Sequence, residues 1–274
     1  MTHPKEILER HDINAKKSLG QNFLYDEAIL ARIADAADVN DADDVLEVGP
    51  GLGSLTKELA RRANRVVAVE LDDRMIPILE GELSGFDNLK IVHQDILKIR
   101  PEDEFARSQS YKVVANVPYY ITGAILRHLL QTEVQPSCMV LTVQKDVAER
   151  MTASPGKMSL MAVSTQFYGR VRMAFNLSAG SFYPKPKIAS SVVKIDVNRR
   201  PEGAKSVTDD KLFFRIAKIG FSQKRKQLLN NFKGLGLEKS AVGAWCEAAG
   251  IDGKRRAETL SIDEWISLYQ TFPV

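Results

Sequence analysis

Four consecutive residues, Asn116-Val117-Pro118-Tyr119, combine groups that can hold a flat ring bearing an exocyclic amine. The Asn116 side-chain oxygen and the Pro118 carbonyl can accept the two amine hydrogens, and the Tyr119 ring can stack on the face of a base. The β-rich run Tyr111–Asn116 predicts that this group stands where a strand ends. Such an arrangement suits alkylation of an amino nitrogen on a nucleobase.

A glycine-rich loop, Glu47-Val48-Gly49-Pro50-Gly51-Leu52-Gly53-Ser54, follows an earlier predicted strand. Glycines Gly49 and Gly51 let the backbone pass close to a ligand where a strand turns into a helix. Glu70 ends the next strand, 19 residues after Gly51, where a carboxylate can accept both ribose hydroxyls of a nucleoside. These features fit nicotinamide dinucleotides and S-adenosylmethionine alike.

Two details of the loop favour S-adenosylmethionine. Ser54 stands where a dinucleotide fingerprint has Gly or Ala. Glu47 places a carboxylate that would oppose a pyrophosphate but suits the cationic amino and sulfonium groups of S-adenosylmethionine. Asp95 closes the third strand and can accept a hydrogen bond from an adenine amine, although the same residue could equally cap a turn.

Short β-rich runs alternate with amphipathic stretches through most of the chain, which predicts βαβ units and a parallel sheet. Two late runs, 170–177 and 190–197, predict an antiparallel hairpin at the sheet edge. A polar, breaker-rich stretch at 199–203 predicts a linker, and every later element reads as helix. We therefore expect an α/β domain over residues 1–199 and a helical domain over residues 200–274. The predicted strands are 45–48, 65–71, 89–95, 111–116 and 138–143, and the main predicted helices are 54–62, 74–83, 123–131, 145–151, 159–168, 209–221, 225–232, 239–249 and 261–271.

The composition limits the classes of function. The chain of 274 residues is 44% hydrophobic and 27% charged, without the ~20-residue apolar run of a membrane span. Its first residues lack the apolar core of a signal peptide. Two cysteines and four scattered histidines show no disulfide or metal-ligand spacing, so we expect a cytoplasmic protein without a metal.

The positive charge is unevenly distributed. Residues 205–274 hold 12 Lys+Arg and 8 Asp+Glu, whereas the preceding residues hold 26 and 27. This surplus favours a polyanion bound at the C-terminal quarter, and a solvated helical surface is the alternative.

Further motifs make the chain resemble the rRNA adenine N6-dimethyltransferase family. Besides the glycine loop, Glu70, Asp95 and the Asn116 group, the matching segments are Lys17-Ser18-Leu19-Gly20-Gln21-Asn22-Phe23-Leu24, Phe182-Tyr183-Pro184-Lys185-Pro186-Lys187-Ile188, Phe221-Ser222-Gln223-Lys224-Arg225-Lys226 and Arg256-Ala257-Glu258-Thr259-Leu260-Ser261. The last two resemble the bacterial housekeeping branch, which dimethylates two adjacent adenines near the 3′ end of small-subunit (16S) rRNA. The macrolide-resistance branch, acting on large-subunit rRNA, is matched less well.

The resemblance implies a Rossmann-like class I methyltransferase fold with a seven-stranded, mostly parallel sheet and a small all-helical C-terminal domain. It implies S-adenosylmethionine as cofactor, S-adenosylhomocysteine as product, and the small ribosomal subunit as partner. A monomer fits a protein that docks on such a large particle. The cofactor contacts implied by the family are Asn22, Leu24, Gly49, Glu70, Asp95 and Asn116. We add Gly51 of the glycine loop to these predicted contacts.

The remaining site residues follow from the chemistry. Asn116, Pro118 and Tyr119 would hold the target adenine, and Phe182 is a candidate second aromatic wall or, alternatively, a plug beneath a proline loop. Since the target base must leave its stack, we expect an unpaired or extruded adenine. The candidate RNA contacts are Lys224, Arg225, Lys226, Lys254, Arg255 and Arg256.

Three other functions stay open. A ribosome-assembly factor acting mainly by binding would share the RNA surface. A DNA adenine methyltransferase would share the Asn-x-Pro-Tyr chemistry, but about 70 helical residues are small for reading a duplex groove. A nicotinamide oxidoreductase is disfavoured by Glu47 and Ser54.

Overall fold

A computed structural model describes residues 2–106, 108, 110–117 and 121–273. Its strands are β1 (Phe23–Leu24), β2 (Asp44–Val48), β3 (Arg65–Glu70), β4 (Leu89–His93), β5 (Tyr111–Asn116), β6 (Cys138–Gln144), β7 (Arg170–Leu177), β8 (Phe182–Tyr183) and β9 (Ser190–Asp196). Its helices are α1 (Pro4–Arg10), α2 (Glu27–Ala36), α3 (Ser54–Ala60), α4 (Ile76–Glu82), α5 (Pro101–Phe105), α6 (Thr122–Leu130), α7 (Lys145–Met151), α8 (Leu160–Gln166), α9 (Asp210–Gly220), α10 (Leu228–Asn231), α11 (Lys239–Ala248) and α12 (Ile262–Gln270).

The central sheet has seven strands within the described residues, in the order β4-β3-β2-β5-β6-β9-β7. Strands β4, β3, β2, β5 and β6 pair in parallel, and β9 runs antiparallel to β6. This confirms the predicted seven-stranded, mostly parallel Rossmann-like sheet. The inner parallel strands β3, β2, β5 and β6 are mostly buried on both faces, with Val45, Val66 and Val113 completely inaccessible, which explains their largely hydrophobic sequences, whereas β4 lies at the edge of the sheet and is partly exposed.

The strand order reverses beside β2. From β2 the chain moves outward through β3 to β4, and β5 then returns to the opposite side of β2. In open α/β sheets such a reversal leaves a crevice outside the carboxyl ends of the two central strands. The Glu47–Ser54 loop and Asn116 follow or end those two strands, so the topology brings them together.

A second, two-stranded sheet was not predicted from the sequence. Strands β1 and β8 pair antiparallel, with Phe23 opposite Tyr183 and Leu24 opposite Phe182. This pairing joins the segment that follows α1 to the Phe182–Ile188 loop.

By density of contacts the chain forms two compact units. The first comprises residues 1–148 and 172–197, and the second comprises residues 149–171 and 198–274. From residue 198 to 273 every regular element is a helix or 3₁₀ turn, as expected for the helical C-terminal part. The core of the second unit includes Trp265, Phe213 and Phe232, each at most 1% exposed. No helix in the described ranges is both long enough and apolar enough to cross a membrane.

Candidate active site

A cavity in the first unit opens at the carboxyl ends of the parallel strands, where the strand order reverses. All seven residues predicted to bind the cofactor line it: Asn22, Leu24, Gly49, Gly51, Glu70, Asp95 and Asn116. Glu47, which was expected to suit the cationic groups of S-adenosylmethionine, also lines the cavity, and lining residues that were not predicted include Leu19, Gly20, Gln21, Phe23, Gln94, Ile96 and Ile121. Their positions next to predicted site residues in sequence were the signal that could have found them.

The glycine loop needs its glycines. Gly49 and Gly51 have φ values of 70° and 58°, in the left-handed region that L side chains rarely adopt. A Cβ on Gly51 would lie 3.0 Å from the Phe23 ring carbons Cδ1 and Cε1. The loop therefore takes a backbone path that a side chain at residue 51 would obstruct.

Glu70 connects the loop to the end of β3. One carboxylate oxygen, Oε2, accepts from Gly51 N at 3.0 Å, and Oε1 accepts from Leu71 N and Asp72 N, both at 2.8 Å. Burial raises the pKa of Glu70 above its ordinary value, and these backbone donors oppose the rise. Oε2 accepts only one of these bonds and has a second lone pair, so the fixed carboxylate can still accept from a ligand hydroxyl.

Glu47 is the most deeply buried acid of the cavity, with 1% of its surface exposed. Its Oε2 atom has no hydrogen-bond partner among the residues that the structure describes. Burial, with a smaller effect of the neighbouring Glu70 charge, raises the pKa of Glu47 to about 8. A buried acceptor without a partner is costly, so the site is suited to a donor or a cation placed in the cavity.

Asp95 begins a 3₁₀ turn at the end of β4. Its Oδ1 atom accepts from Leu97 N at 2.9 Å, so it does cap a turn, the alternative that the sequence left open. Because Asp95 also lines the cavity, its second oxygen is available in the same place.

Asn116 closes β5 and faces the segment that precedes β1. Its Nδ2 donates to the Asn22 carbonyl at 3.0 Å. That bond uses the donor side of the amide and leaves Oδ1 to accept from another group. Asn116 is half-buried and lines the cavity, as a residue that contacts both cofactor and base would have to be.

Of the other residues predicted to bind the base, only Phe182 lies within the described residues. Pro118 and Tyr119 lie outside the described residues. Phe182 is 3% exposed and packs in a hydrophobic core with Leu24 and Leu177, the arrangement expected of a plug beneath the loop. The described cavity lining does not include Phe182, and its role as an aromatic wall stays a prediction.

The predicted RNA contacts lie on two loops of the second unit. Backbone hydrogen bonds from Leu228 N to Arg255 O (2.9 Å) and from Leu229 N to Gly253 O (3.0 Å) hold these loops side by side. Arg255 differs from the other candidates, because its guanidinium binds the Glu264 carboxylate and the Thr259 carbonyl. It therefore supports the start of α12. The five exposed candidates are Lys224, Arg225, Lys226, Lys254 and Arg256.

Within the described ranges, no cluster of three or more His, Cys, Asp or Glu side chains is arranged to hold a metal ion. Cys138 and Cys246 are buried free thiols, and burial raises the pKa of each to about 11.

Comparison with known proteins agrees with this geometry. The profile of the ribosomal RNA adenine dimethylase family matches residues 12–273. A relative named ribosomal RNA small subunit methyltransferase A from Dehalococcoides mccartyi (strain CBDB1) is 44% identical over 271 residues, covering 98% of this chain and 92% of its own. The protein of that name from Clostridium botulinum (strain ATCC 19397 / Type A) is 41% identical over 263 residues, covering 95% of each chain.

Two solved structures share the fold over most of their length. A dimethyladenosine transferase from Plasmodium falciparum superposes with a TM-score of 0.75 at 27% identity, covering 91% of this chain and 97% of its own. The 23S rRNA methyltransferase ErmE superposes with a TM-score of 0.70 at 25% identity, covering 91% and 99%. The resemblance inferred from the motifs is confirmed, and the chain belongs to the ribosomal RNA adenine dimethylase family.

Proposed function

We propose that this chain is an enzyme that transfers methyl groups from S-adenosylmethionine to the N6 amine of two adjacent adenines near the 3′ end of small-subunit (16S) rRNA. The products are N6,N6-dimethyladenosines and S-adenosylhomocysteine, and the reaction belongs to small-subunit biogenesis. One observation carries the proposal: Glu70, Asp95 and Asn116 line a single cavity, in a chain 44% identical to a ribosomal RNA small subunit methyltransferase A.

The cavity fits the cofactor. The buried Glu47 oxygen has no described partner, and a cationic ligand would supply one. Glu70 would accept from ribose hydroxyls and Asp95 from an adenine amine. Asn22, Leu24, Gly49 and Gly51 line the same cavity. When bound, S-adenosylmethionine supplies a methyl group made electrophilic by its sulfonium sulfur.

Asn116, Pro118 and Tyr119 would prepare the base. The Asn116 Oδ1 and the Pro118 carbonyl accept the two hydrogens of the target amine, which favours a tetrahedral nitrogen and stabilises the positive charge that develops on it. Tyr119 stacks on the adenine, worth ~1–3 kcal/mol by analogy with other base–aromatic contacts. No side chain need act as a base, since the methylated amine is acidic enough to lose its proton to water.

Dimethylation adds a requirement at the same place. After the first transfer the amine keeps one hydrogen, so only one of the two acceptors can be used in the second transfer. Asn116 can serve both steps because the bond to Asn22 uses Nδ2 and not the acceptor Oδ1. Holding the base and the donor together supplies much of the remaining acceleration.

We assign residues 1–199 to methyl transfer and residues 200–274 to docking on RNA. The exposed loops that carry Lys224, Arg225, Lys226, Lys254 and Arg256 would contact phosphates, which makes binding dependent on salt. We further propose that the protein works in the cytoplasm, away from membranes and without a metal. A monomer fits a protein that docks on a large particle.

Two alternatives differ in substrate or in emphasis. An assembly factor that acts mainly by binding would not need Glu70, Asp95 and Asn116 in one cavity, so their convergence favours catalysis. A large-subunit rRNA methyltransferase of the macrolide-resistance type is supported by the similarity to ErmE, but that identity is 25% against 44% for the small-subunit relative.

The substrate is tested by incubating the protein and labelled S-adenosylmethionine with undermethylated small subunits, large subunits and free rRNAs, followed by mapping of the modified nucleotides. We expect label only in small-subunit RNA, on two adjacent adenines near its 3′ end. Label in large-subunit RNA would favour the macrolide-resistance type, and binding without label would favour the assembly factor.

A further inference from the structure

The segment Lys16–Asn22 is folded around the side chain of Gln21. Lys16 N donates to Gln21 Oε1 at 2.7 Å, and the Asn22 side chain donates to Gly20 O at 2.9 Å. Between them lie a 3₁₀ turn, Lys17–Leu19, and Gly20 with a φ of 64°. Since Gly20, Gln21 and Asn22 all line the cavity, the shape of this segment is part of the cofactor site.

Asp72 holds one end of the segment. Its Oδ2 accepts from Gln21 Nε2 at 2.8 Å, and Lys16 Nζ lies 3.4 Å from Oδ1. The Asp72 side chain is fully buried, and Arg74 binds both of its oxygens. Hydrogen bonds from Arg74 and Gln21 hold the pKa of Asp72 well below its usual range, so the carboxylate stays charged.

Asn116 holds the other end, through the 3.0 Å bond from its Nδ2 to the Asn22 carbonyl. This contact selects which atom of the Asn116 amide faces the neighbouring segment and which remains as an acceptor. A shift of the Asn22 carbonyl would remove the reason for the amide to keep that orientation. The path from Asp72 through Gln21 and Asn22 to Asn116 is thus a continuous series of hydrogen bonds and backbone.

We propose that Asp72 is a positioning residue for methyl transfer, which fixes the segment Lys16–Asn22 through Gln21 and thereby orients the Asn116 amide. Asp72 is absent from the described lining of the cavity, so it acts through the segment. The inference deepens the proposed function and rests on it for the role of Asn116. The proposal gives Asp72 a different role from Glu70, which lies two residues earlier and lines the cavity itself.

A double-mutant cycle tests the bond between Asp72 and Gln21. The variants are Asp72→Ala, which leaves no acceptor for Gln21 Nε2, Gln21→Leu and their combination. Gln21→Leu leaves the Asp72–Arg74 pair intact, so it protects the test against loss of folding. Well below the unfolding temperature, we expect each single change to lower kcat about tenfold with KM for RNA nearly constant, and the combination to lower it no further. A folded variant with unchanged kcat, or effects that multiply, overturns the proposal.

A second test exchanges the carboxylate of residue 72 and the amide of residue 21. Asp72→Asn combined with Gln21→Glu lets an amide at residue 72 donate to a carboxylate at residue 21, which can still accept from Lys16 N. We expect this pair to recover kcat relative to either single change. Impaired single variants without recovery in the pair would mean that the hydrogen bond is not the cause.

Glu82→Gln is the matched control, because Glu82 forms a 3.5 Å ion pair with Arg10 that also secures the N-terminal residues but does not touch Lys16–Asn22. Its kcat should equal that of the wild type, and an equal loss in this variant would overturn the assignment to Asp72. Binding of S-adenosylhomocysteine is measured for every variant without RNA, and we expect it to weaken along the same cycle. A wild type that binds this probe but leaves rRNA unmodified defeats the proposed function, while the binding cycle still decides whether Asp72 positions the segment.

Discussion

At Asn116 one side-chain amide serves two parts of the site. The donor side binds the Asn22 carbonyl, and we propose that the acceptor side binds the amine of a base. A side-chain amide offers donor and acceptor groups on one plane at any protonation state of the protein, and glutamine, the other amide, has a longer side chain. This accounts for asparagine at the end of β5.

Asn116→Ala removes the acceptor and the contact with Asn22 together. We expect both methyl transfers to slow by roughly two orders of magnitude, the cost of removing one preorganised hydrogen-bonding group from an active site. Single-turnover rates of mono- and dimethyladenosine formation provide the measurement. Asn64→Ala is the control, since Asn64 is exposed and binds Asp44 at the start of β2. Normal dimethylation in Asn116→Ala would remove Asn116 from the mechanism.

The buried Glu47 side chain is expected to make the stability of the folded protein decrease as pH rises. Its pKa of about 8 in the folded protein exceeds the ordinary value of 4.5, so the folded state binds the proton more tightly. Stability from this group is therefore present at low pH and is lost as pH rises from about 4.5 through about 8. Glu47→Gln removes this titration while keeping the size of the side chain.

We expect the free energy of unfolding of the wild type to fall relative to Glu47→Gln between pH 5 and pH 8.5, by an amount on the order of a few kcal/mol. Urea denaturation of both proteins at several pH values measures the difference, in which the titration of groups that do not interact with Glu47 cancels. Parallel stability curves would show that Glu47 keeps an ordinary pKa.

Among the elements, those with a strong local pattern were predictable. Strand β5 was predicted with its observed bounds, because a strand buried on both faces has a continuous hydrophobic sequence. Helix α2 was not predicted, although Asp26 caps it and Leu30, Ile33 and Ala34 repeat at helical spacing. That signal was present in the sequence.

The pairing of β1 with β8 had no comparable signal. Each strand has two residues, and Leu24 and Phe182 are far apart in the chain. Likewise, the contact between Asn22 and Asn116 spans 94 residues and could not be derived from spacing. The sequence therefore identified the residues that line the cavity but not the bonds that connect them.

The glycine loop gives a prediction for an element. Gly51→Ala forces a left-handed φ on an L residue and places Cβ against Phe23, so we expect a loss of about 1–2 kcal/mol of stability and weaker binding of S-adenosylhomocysteine. Gly236→Ala is the matched control, with a φ of 84° but open space around the new Cβ. The Gly236→Ala variant should lose a similar amount of stability and keep its affinity for S-adenosylhomocysteine. Equal affinities in the two variants would show that the Gly51 loop does not shape the cofactor site.

The basic loop at 224–226 gives a second prediction for an element of the structure. Reversing Lys224, Arg225 and Lys226 to Glu should weaken RNA binding and flatten its dependence on salt, because phosphate contacts release counterions. Filter binding at several salt concentrations measures both effects. A matched variant reverses three exposed lysines elsewhere in the same unit, Lys211, Lys233 and Lys239. Equal RNA affinity in both triple variants and the wild type would discard this docking surface.

At the scale of the whole molecule, chemistry and charge are carried by different parts of the chain. The cavity is built from residues 19–121, whereas the surplus of positive charge lies in residues 205–274. The proposed division at residue 199 follows that difference in function. The compact units instead place residues 149–171 with the C-terminal helices, an association that the polar linker at 199–203 did not indicate.

Structure determination with a bisubstrate conjugate, in which adenosine N6 is joined to the methyl-bearing position of the cofactor, tests the proposed geometry most directly. We expect the cofactor adenosine beside Glu70 and Asp95, and the N6 atom of the second adenosine within hydrogen-bonding distance of Asn116 Oδ1. A conjugate bound outside this cavity, or one whose N6 atom lies away from Asn116, would contradict the account.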